Sequence, residues 1–363
     1  MATATVVSPT TRLSVVRVAT LPGFRALAWH GDILYLSRGY ELYVARVVSP
    51  EFQLRKIASY SPGIRRHVTS KFRLSSRLFR DGFHALAVLP SGNLVAALPA
   101  AIVTLKRGDR EFQVTHRITR GTRPLHITAT PDGRVLWGEY FDNAQRSEVH
   151  IYESRDEGFT WNVAHTFPAR SIRHVHNIVF DPWEDCLWIF TGDYGTECKI
   201  LRASCDSSML DEVVSGNQQC RAVAAVVSSE GIYFASDTPL EKNFVYFLDR
   251  RGKIHTLAAI PSSSIYACQN RSGLFFSTMV EPSDVNLSNE VAIVGSNNGE
   301  NWQQIGSWRK DRWPMRLFQY GNASLPDGDN TTDFLAATTI AVRGADLVTT
   351  IRRTRQITSG VND

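Results

Sequence analysis

The chain has 363 residues, 43% of them hydrophobic, and 40 basic side chains against 35 acidic ones. The apolar share suits a globular protein with a sizeable core, no apolar run reaches the length of a membrane span, and a scattered net charge of +5 makes no nucleic-acid surface. Five cysteines without a Cys-x-x-Cys pair point to free thiols in a reducing compartment, and the N-terminal stretch lacks the pattern of a secretory signal, so the expected location is cytoplasmic.

Along the chain, short apolar runs rich in β-branched and aromatic residues recur between turn residues, which predicts antiparallel strands in series. A first such run, Leu13 to Leu21, stands alone. Six groups of four runs follow, beginning at Phe24, Phe83, Leu125, His174, Cys220 and Ser264, and a seventh from Met315 (MRLFQYG, DFLAATTIAV, DLVTTIR) has only three. Between the first and second groups lies an insertion, residues 59–81, read by default as a solvated loop, with a lid or an oligomer contact as its other uses.

The centres of the third runs, Ala45, Thr104, Ile151, Ile200, Tyr246 and Ile293, lie 46 to 49 residues apart once the insertion is passed. That is the period of propeller blades. No strands alternate with long helices, which excludes a doubly wound α/β fold. The expected fold is all-β: a single seven-bladed β-propeller over residues 1–363, with Leu13–Leu21 supplying the strand that the 315–352 group lacks and removing the open edges of a linear array. A six-bladed ring is the alternative.

The turn Ser154 to Trp161 (SRDEGFTW) fits Ser-x-Asp-x-Gly-x-Thr-Trp throughout, and Gly295 to Trp302 (GSNNGENW) is a degenerate copy with Asn297, Gly299 and Trp302 in the Asp, Gly and Trp places. Ser154 and Asp156 can bond the backbone of a tight turn while Gly158 supplies a positive φ. The motif resembles the Asp box of sialidase-like (BNR-repeat) β-propellers. The resemblance implies the fold, a box on an outer hairpin away from any catalytic face, and an association with glycans. Sialidases also carry a Phe/Tyr-Arg-Ile-Pro motif, whereas Gly23-Phe24-Arg25-Ala26 lacks the Ile-Pro, so what carries over is fold and Asp box.

In a propeller the starts of inner strands and the ends of second strands converge on one channel mouth. The first set here is basic: Arg25, His84, His126, Arg173 with His174 and His176, Arg221 and Arg316. The second is mainly acidic: Glu139 with Asn143, Asp193 with Glu197, Asp237 with Glu241 and Asn243, and Glu281. Many of these are expected to pair across blades as salt bridges.

Three chemistries remain open. Carboxylate pairs drawn from Glu139, Asp193, Glu197 and Asp237, with His126 and His176, suit a glycoside hydrolase. Arginine (Arg123, Arg173, Arg221, Arg316), imidazole and tyrosine (Tyr140, Tyr194, Tyr320) suit a lyase that eliminates at a uronic acid. Strand alternation puts His174 and His176 on one side, and a metal reading takes His84, His126 and His176, closed by Asp193 or Glu197. No His-Glu-x-x-His spacing supports it, so no cofactor is the expectation, with a divalent metal the minor alternative. The reading favoured is a carbohydrate-active enzyme with a glycan substrate, its sugar platforms drawn from Trp137, Tyr140, Phe141 and Tyr194; a non-enzymatic glycan- or protein-binding propeller is the other class. Four Asn-x-Ser/Thr matches (Asn270, Asn286, Asn322, Asn330) are read as chance.

Overall fold

The computed structural model describes residues 11–205 and 209–358; residues 1–10, where the reading of the leader begins, lie outside them. Each predicted group folds as one small sheet, and among the described residues there are seven, blades 1 to 7 in chain order. The protein is a seven-bladed β-propeller. Blade 4 shows the plan: inner strand His174–Asp181, then Cys186–Gly192, Lys199–Ser204 and the outer Leu210–Ser215. Cys186–Gly192 is buried along its whole length, which is why it reads as a continuous apolar run rather than an alternating one. Leu210–Ser215 holds no buried residue.

The hydrophobic core lies in seams between neighbouring blades. Leu136, Val149 and Ile151 of blade 3 pack on Val175, Ile178 and Leu187 of blade 4, and Trp188, Phe190 and Ile200 of blade 4 on Ile232, Phe234 and Tyr246 of blade 5. The last seam closes the ring: Trp29, Leu34 and Leu36 of blade 1 meet Phe334, Ala336 and Ile351 of blade 7. As expected, the N-terminal strand Thr11–Pro22 is the outermost of blade 7, antiparallel to Val348–Thr358, with Leu21 opposite Thr349 and Leu13 opposite Gln356.

Blade 7 departs from its prediction at the inner edge. Met315–Phe318, read as the inner strand, is a short helix behind Pro314, so Arg316 does not start a strand. The inner strand is the polar Asn322–Ser324. The chain then leaves the blade, and Asp327–Asn330 pairs in parallel with the inner strand of blade 1, Arg25–Gly31, inside the channel.

The insertion is not a bare loop. It folds into helices Gly63–Thr69 and Arg73–Phe79. The buried Arg77 anchors it, its guanidinium 2.5 Å from Asp311 and 3.2 Å from Asp346 and bonded to the Phe318 carbonyl. At its end Asp81 accepts from Arg66, Thr69 and Tyr40. A cavity of about 830 Å³ lies between the insertion and blades 1, 2 and 7.

The Asp box is built as its spacing implies. Ser154 Oγ accepts from the Gly158 N–H, Asp156 accepts from the Thr160 N–H and hydroxyl, and Gly158 has φ +92°. In the degenerate copy the acceptor is Asn298 rather than Asn297: it takes the Asn301 N–H, while Ser296 takes the Gly299 N–H. That turn is one residue tighter. The four Asn-x-Ser/Thr asparagines are all buried.

Candidate functional site

Antiparallel pairing places the start of each inner strand beside the end of the second, as His174 opposite Gly192 shows in blade 4. An acidic residue follows the second strand in four successive blades: Glu139, Asp193, Asp237 and Glu281. They have different fates.

Glu139 is buried, clamped by Arg120 and bonded to the His150 N–H; it is an ion-pair member, as is Glu197, which Arg146 holds. Asn143 and Asn243 are also structural. The first donates to the Ser147 and Arg173 carbonyls and the second to Thr238 and Asn286. Glu241 is exposed.

Asp193, Asp237 and Glu281 converge with residues of the next blade. Asp193 Oδ1 lies 3.1 Å from His176 Nε2, 3.3 Å from His174 Nε2 and 3.4 Å from Arg221 Nη2, and its Oδ2 lies 3.2 Å from Arg173 Nη1. Burial alone would raise the Asp193 carboxyl, but its contacts with both histidines outweigh that and hold it far below the usual range. The same Arg221 nitrogen is 3.9 Å from Asp237. Ser263 donates to Glu281 at 2.6 Å and also bonds Asp237, yet the Asp237 carboxyl is pushed up to about 7: burial raises it, Arg221 opposes, and Glu281 and Asp193 raise it further.

Blade 4 presents its imidazoles through a bulge. Pairing shifts between Val175 and Asn177, so His176 is the extra residue of the inner strand. Its Nδ1 donates to the Ala222 carbonyl of blade 5 at 3.0 Å. The close approach needs Gly192, where a Cβ would stand 2.4 Å from His176 Cε1. His174 and His176 share one side, as alternation predicts, with Nε2 atoms 3.1 Å apart. The Tyr140 ring lies 4.3 Å from that of His174.

Blades 1 to 3 make the other half of the mouth, and it is basic. Arg25 bonds His84 at 2.8 Å and the Phe83 carbonyl. Burial together with Arg123 and Arg25 holds His84 well below its usual value. Arg123 is pushed down to about 10 by burial and then by Arg25 and Arg80. Among the described residues no carboxylate forms an ion pair with Arg25, Arg80 or Arg123, in contrast to the paired Arg120, Arg146 and Arg173. Tyr140 lies between the halves, within reach of the charges of Asp237, Asp193 and Arg221 on one side and of Arg123 on the other.

His126 is elsewhere. It pairs with Asp327 at 3.1 Å and lines a cavity of about 730 Å³ reached by the far ends of the inner strands and the Pro182–Trp183 turn, so the set His84, His126 and His176 is not a cluster. Trp137 is 2% exposed and stacked on Tyr152 at 4.3 Å, which rules it out as a sugar platform. Phe141 is half-buried under Arg120. Tyr194 is 46% exposed and flanked by Arg146 and Arg173.

Sequence reasoning missed Ser263, which joins Asp237 to Glu281, and the clamps Arg120 and Arg146. Only the run Ser262-Ser263-Ser264, at the position of the blade 4 imidazoles, hinted at the first. Around the acidic half, Arg173 Nε, Arg221 Nε, Glu197 Oε2 and Ser262 Oγ are buried without partners.

Fold and mouth together define a propeller with a charged channel entrance. No protein-family model matches the chain, and no curated protein matches it. Among solved structures it is similar to a chain of the mitotic checkpoint complex, with 11% identity over 97% of this chain and 95% of that one and a TM-score of 0.56. It is also similar to the WD40 β-propeller domain of Doa1, at 10% identity, 93% and 96% coverage and a TM-score of 0.54. The GH74 enzyme of Niastella koreensis is a third, at 16% identity over 80% of this chain with a TM-score of 0.51; the chain spans 46% of that enzyme's length. At these identities the likeness is one of fold. No helix of the described residues is long and apolar enough to cross a membrane.

Proposed function

We propose that this propeller is a carbohydrate-active enzyme that hydrolyses an acidic oligo- or polysaccharide laid across the channel mouth, with Asp237 as proton donor. The Asp237 carboxyl, raised to about 7 by its burial and by neighbouring Glu281 and Asp193, carries the reading. An acid in that state keeps its proton near neutral pH and can deliver it to a leaving oxygen. Hydrolysis of a glycosidic bond also needs a second carboxyl group close by, and Glu281, which accepts from the Ser263 that Asp237 shares, is the candidate for it. Arg25, Arg80 and Arg123, without carboxylate partners among the described residues, supply the preference for an anionic sugar, since cations that repel one another gain from a bound carboxylate. Tyr194 offers an exposed aromatic face beside the mouth.

A second reading is elimination at a uronic acid, which the contact of Tyr140 with His174 beside Arg173 and Arg221 favours. In it a base takes the proton next to the sugar carboxylate and the glycosidic oxygen leaves. A panel of acidic polysaccharides, assayed for new reducing ends and for the ultraviolet absorbance of an unsaturated uronate, separates the two. Hydrolysis gives reducing ends without absorbance, and elimination gives both. Silence across the panel, with a glycan or protein bound intact, would overturn the enzymatic reading.

A further inference from the structure

The cluster in blade 4 has a feature that acid–base chemistry leaves unused. His174 Nδ1 faces the Phe141 carbonyl at 3.1 Å and His176 Nδ1 faces the Ala222 carbonyl at 3.0 Å. A carbonyl only accepts, so in each neutral imidazole the proton sits on Nδ1 and Nε2 presents a bare lone pair. Those two lone pairs and Asp193 Oδ1 stand 3.1, 3.1 and 3.3 Å from one another. With both imidazoles neutral, three acceptors face one another, and either a proton on one ring or a metal ion among them turns that repulsion into attraction. We propose that His174, His176 and Asp193 bind a first-row divalent transition-metal ion.

The spacing fits the chemistry. Ligands about 2.1 Å from a metal stand roughly 3.0 Å apart at right angles and roughly 3.4 Å apart at tetrahedral angles, and the observed triangle falls between. An ion at that bond length sits about 1 Å above the plane of the three atoms, so they form one face of its coordination shell and leave the other side open. The surroundings are those of a metal site: each imidazole is fixed by a hydrogen bond from its second nitrogen, and Arg173 and Arg221 orient the carboxylate. The side chains of His174, His176 and Asp193 are 6, 1 and 11% exposed, so an ion held by them is shielded from bulk water.

Among the described residues the other grouping of metal-type side chains, Asp181, Glu184 and Cys186, holds no imidazole, and Asp181 already accepts from Arg250, Trp188 Nε1 and the Trp183 N–H.

The inference shares its location with the proposed cleavage but does not rest on it, and it is tested without glycan. The full chain, stripped with a chelator and dialysed, is titrated calorimetrically with zinc and with manganese chloride. The expected result is one ion per chain, with affinity at least about 100-fold weaker in His176→Ala and Asp193→Asn. Cobalt loading of the wild type should give the visible absorption of an ion held by nitrogen and oxygen, a readout that stands even if a variant fails to fold. A wild type that takes up neither zinc nor manganese, a cobalt spectrum without nitrogen ligation, or variants that bind as tightly as the wild type would overturn the assignment and leave a proton as the cation of the cluster.

Discussion

Replacing Asp237 with asparagine should make the protein more stable, and increasingly so as pH rises. The carboxyl is enclosed by Arg221 at the start of the blade 5 inner strand, Ser263 and Glu281 of blade 6, Asp193 of blade 4 and Tyr140 of blade 3. The unfolded chain loses this proton at the ordinary value of 3.8, whereas the folded protein keeps it to about 7. Between those values the folded state binds a proton that the unfolded state does not, so raising the pH works against folding. Three units at about 1.4 kcal/mol each amount to ~4 kcal/mol of wild-type stability lost by the time the group has ionised in both states. Asparagine keeps the size and one oxygen acceptor and has nothing to titrate. Urea unfolding of both proteins between about pH 4 and 8, with chelator present, should show near-equal stability at the acid end and a variant ahead by up to ~4 kcal/mol at the alkaline end. A difference that does not change with pH, or a wild type that gains on the variant as pH rises, would refute the argument.

Three further substitutions separate scaffold from site. Glu139→Gln should cost about 1–3 kcal/mol in urea unfolding, because it weakens a buried clamp with Arg120, yet leave turnover per folded molecule unchanged; loss of turnover at full stability would return Glu139 to the catalytic set. Arg77→Ala removes the cation between Asp311 and Asp346 and should destabilise by about 3–5 kcal/mol, with proteolysis starting in residues 59–81; unchanged resistance would show that the insertion is held by other contacts. Gly192→Ala drives a Cβ to 2.4 Å from His176 and should abolish zinc uptake, at a stability cost of about 1–3 kcal/mol; normal uptake would mean that the ring has room to move.

The blades and their closure were legible in the sequence because they depend on local signals. Strand runs alternate or stay apolar according to their depth, turn residues separate them, and a missing last strand is matched by a surplus first one. The inner edge of blade 7 was not legible. MRLFQYG has the aromatic and apolar content of a strand, but Pro314 sets it up as a helical turn, and the strand inside the channel, Asp327–Asn330, is made of turn-forming residues that pair only because the inner strand of blade 1 offers a free edge.

The acidic positions of the mouth followed from topology alone, whereas their roles did not. Glu139 and Glu197 are neutralised by Arg120 and Arg146, which reach them from loops with no periodic signal. Asp237 escapes such a clamp. Alternation put His174 and His176 on one side, but the bulge at His176 and the Gly192 approach that let the two rings converge on Asp193 are properties of the folded strand pair.

The most direct test of a mouth that cleaves acidic glycans with Asp237 as proton donor is the pH profile of kcat/KM on the best substrate of the panel. With chelator present, the account predicts an alkaline fall with a midpoint near pH 7, set by ionisation of Asp237 and absent from whatever activity Asp237→Asn retains. The same alkaline fall in the variant, or full activity without that carboxyl, would contradict it.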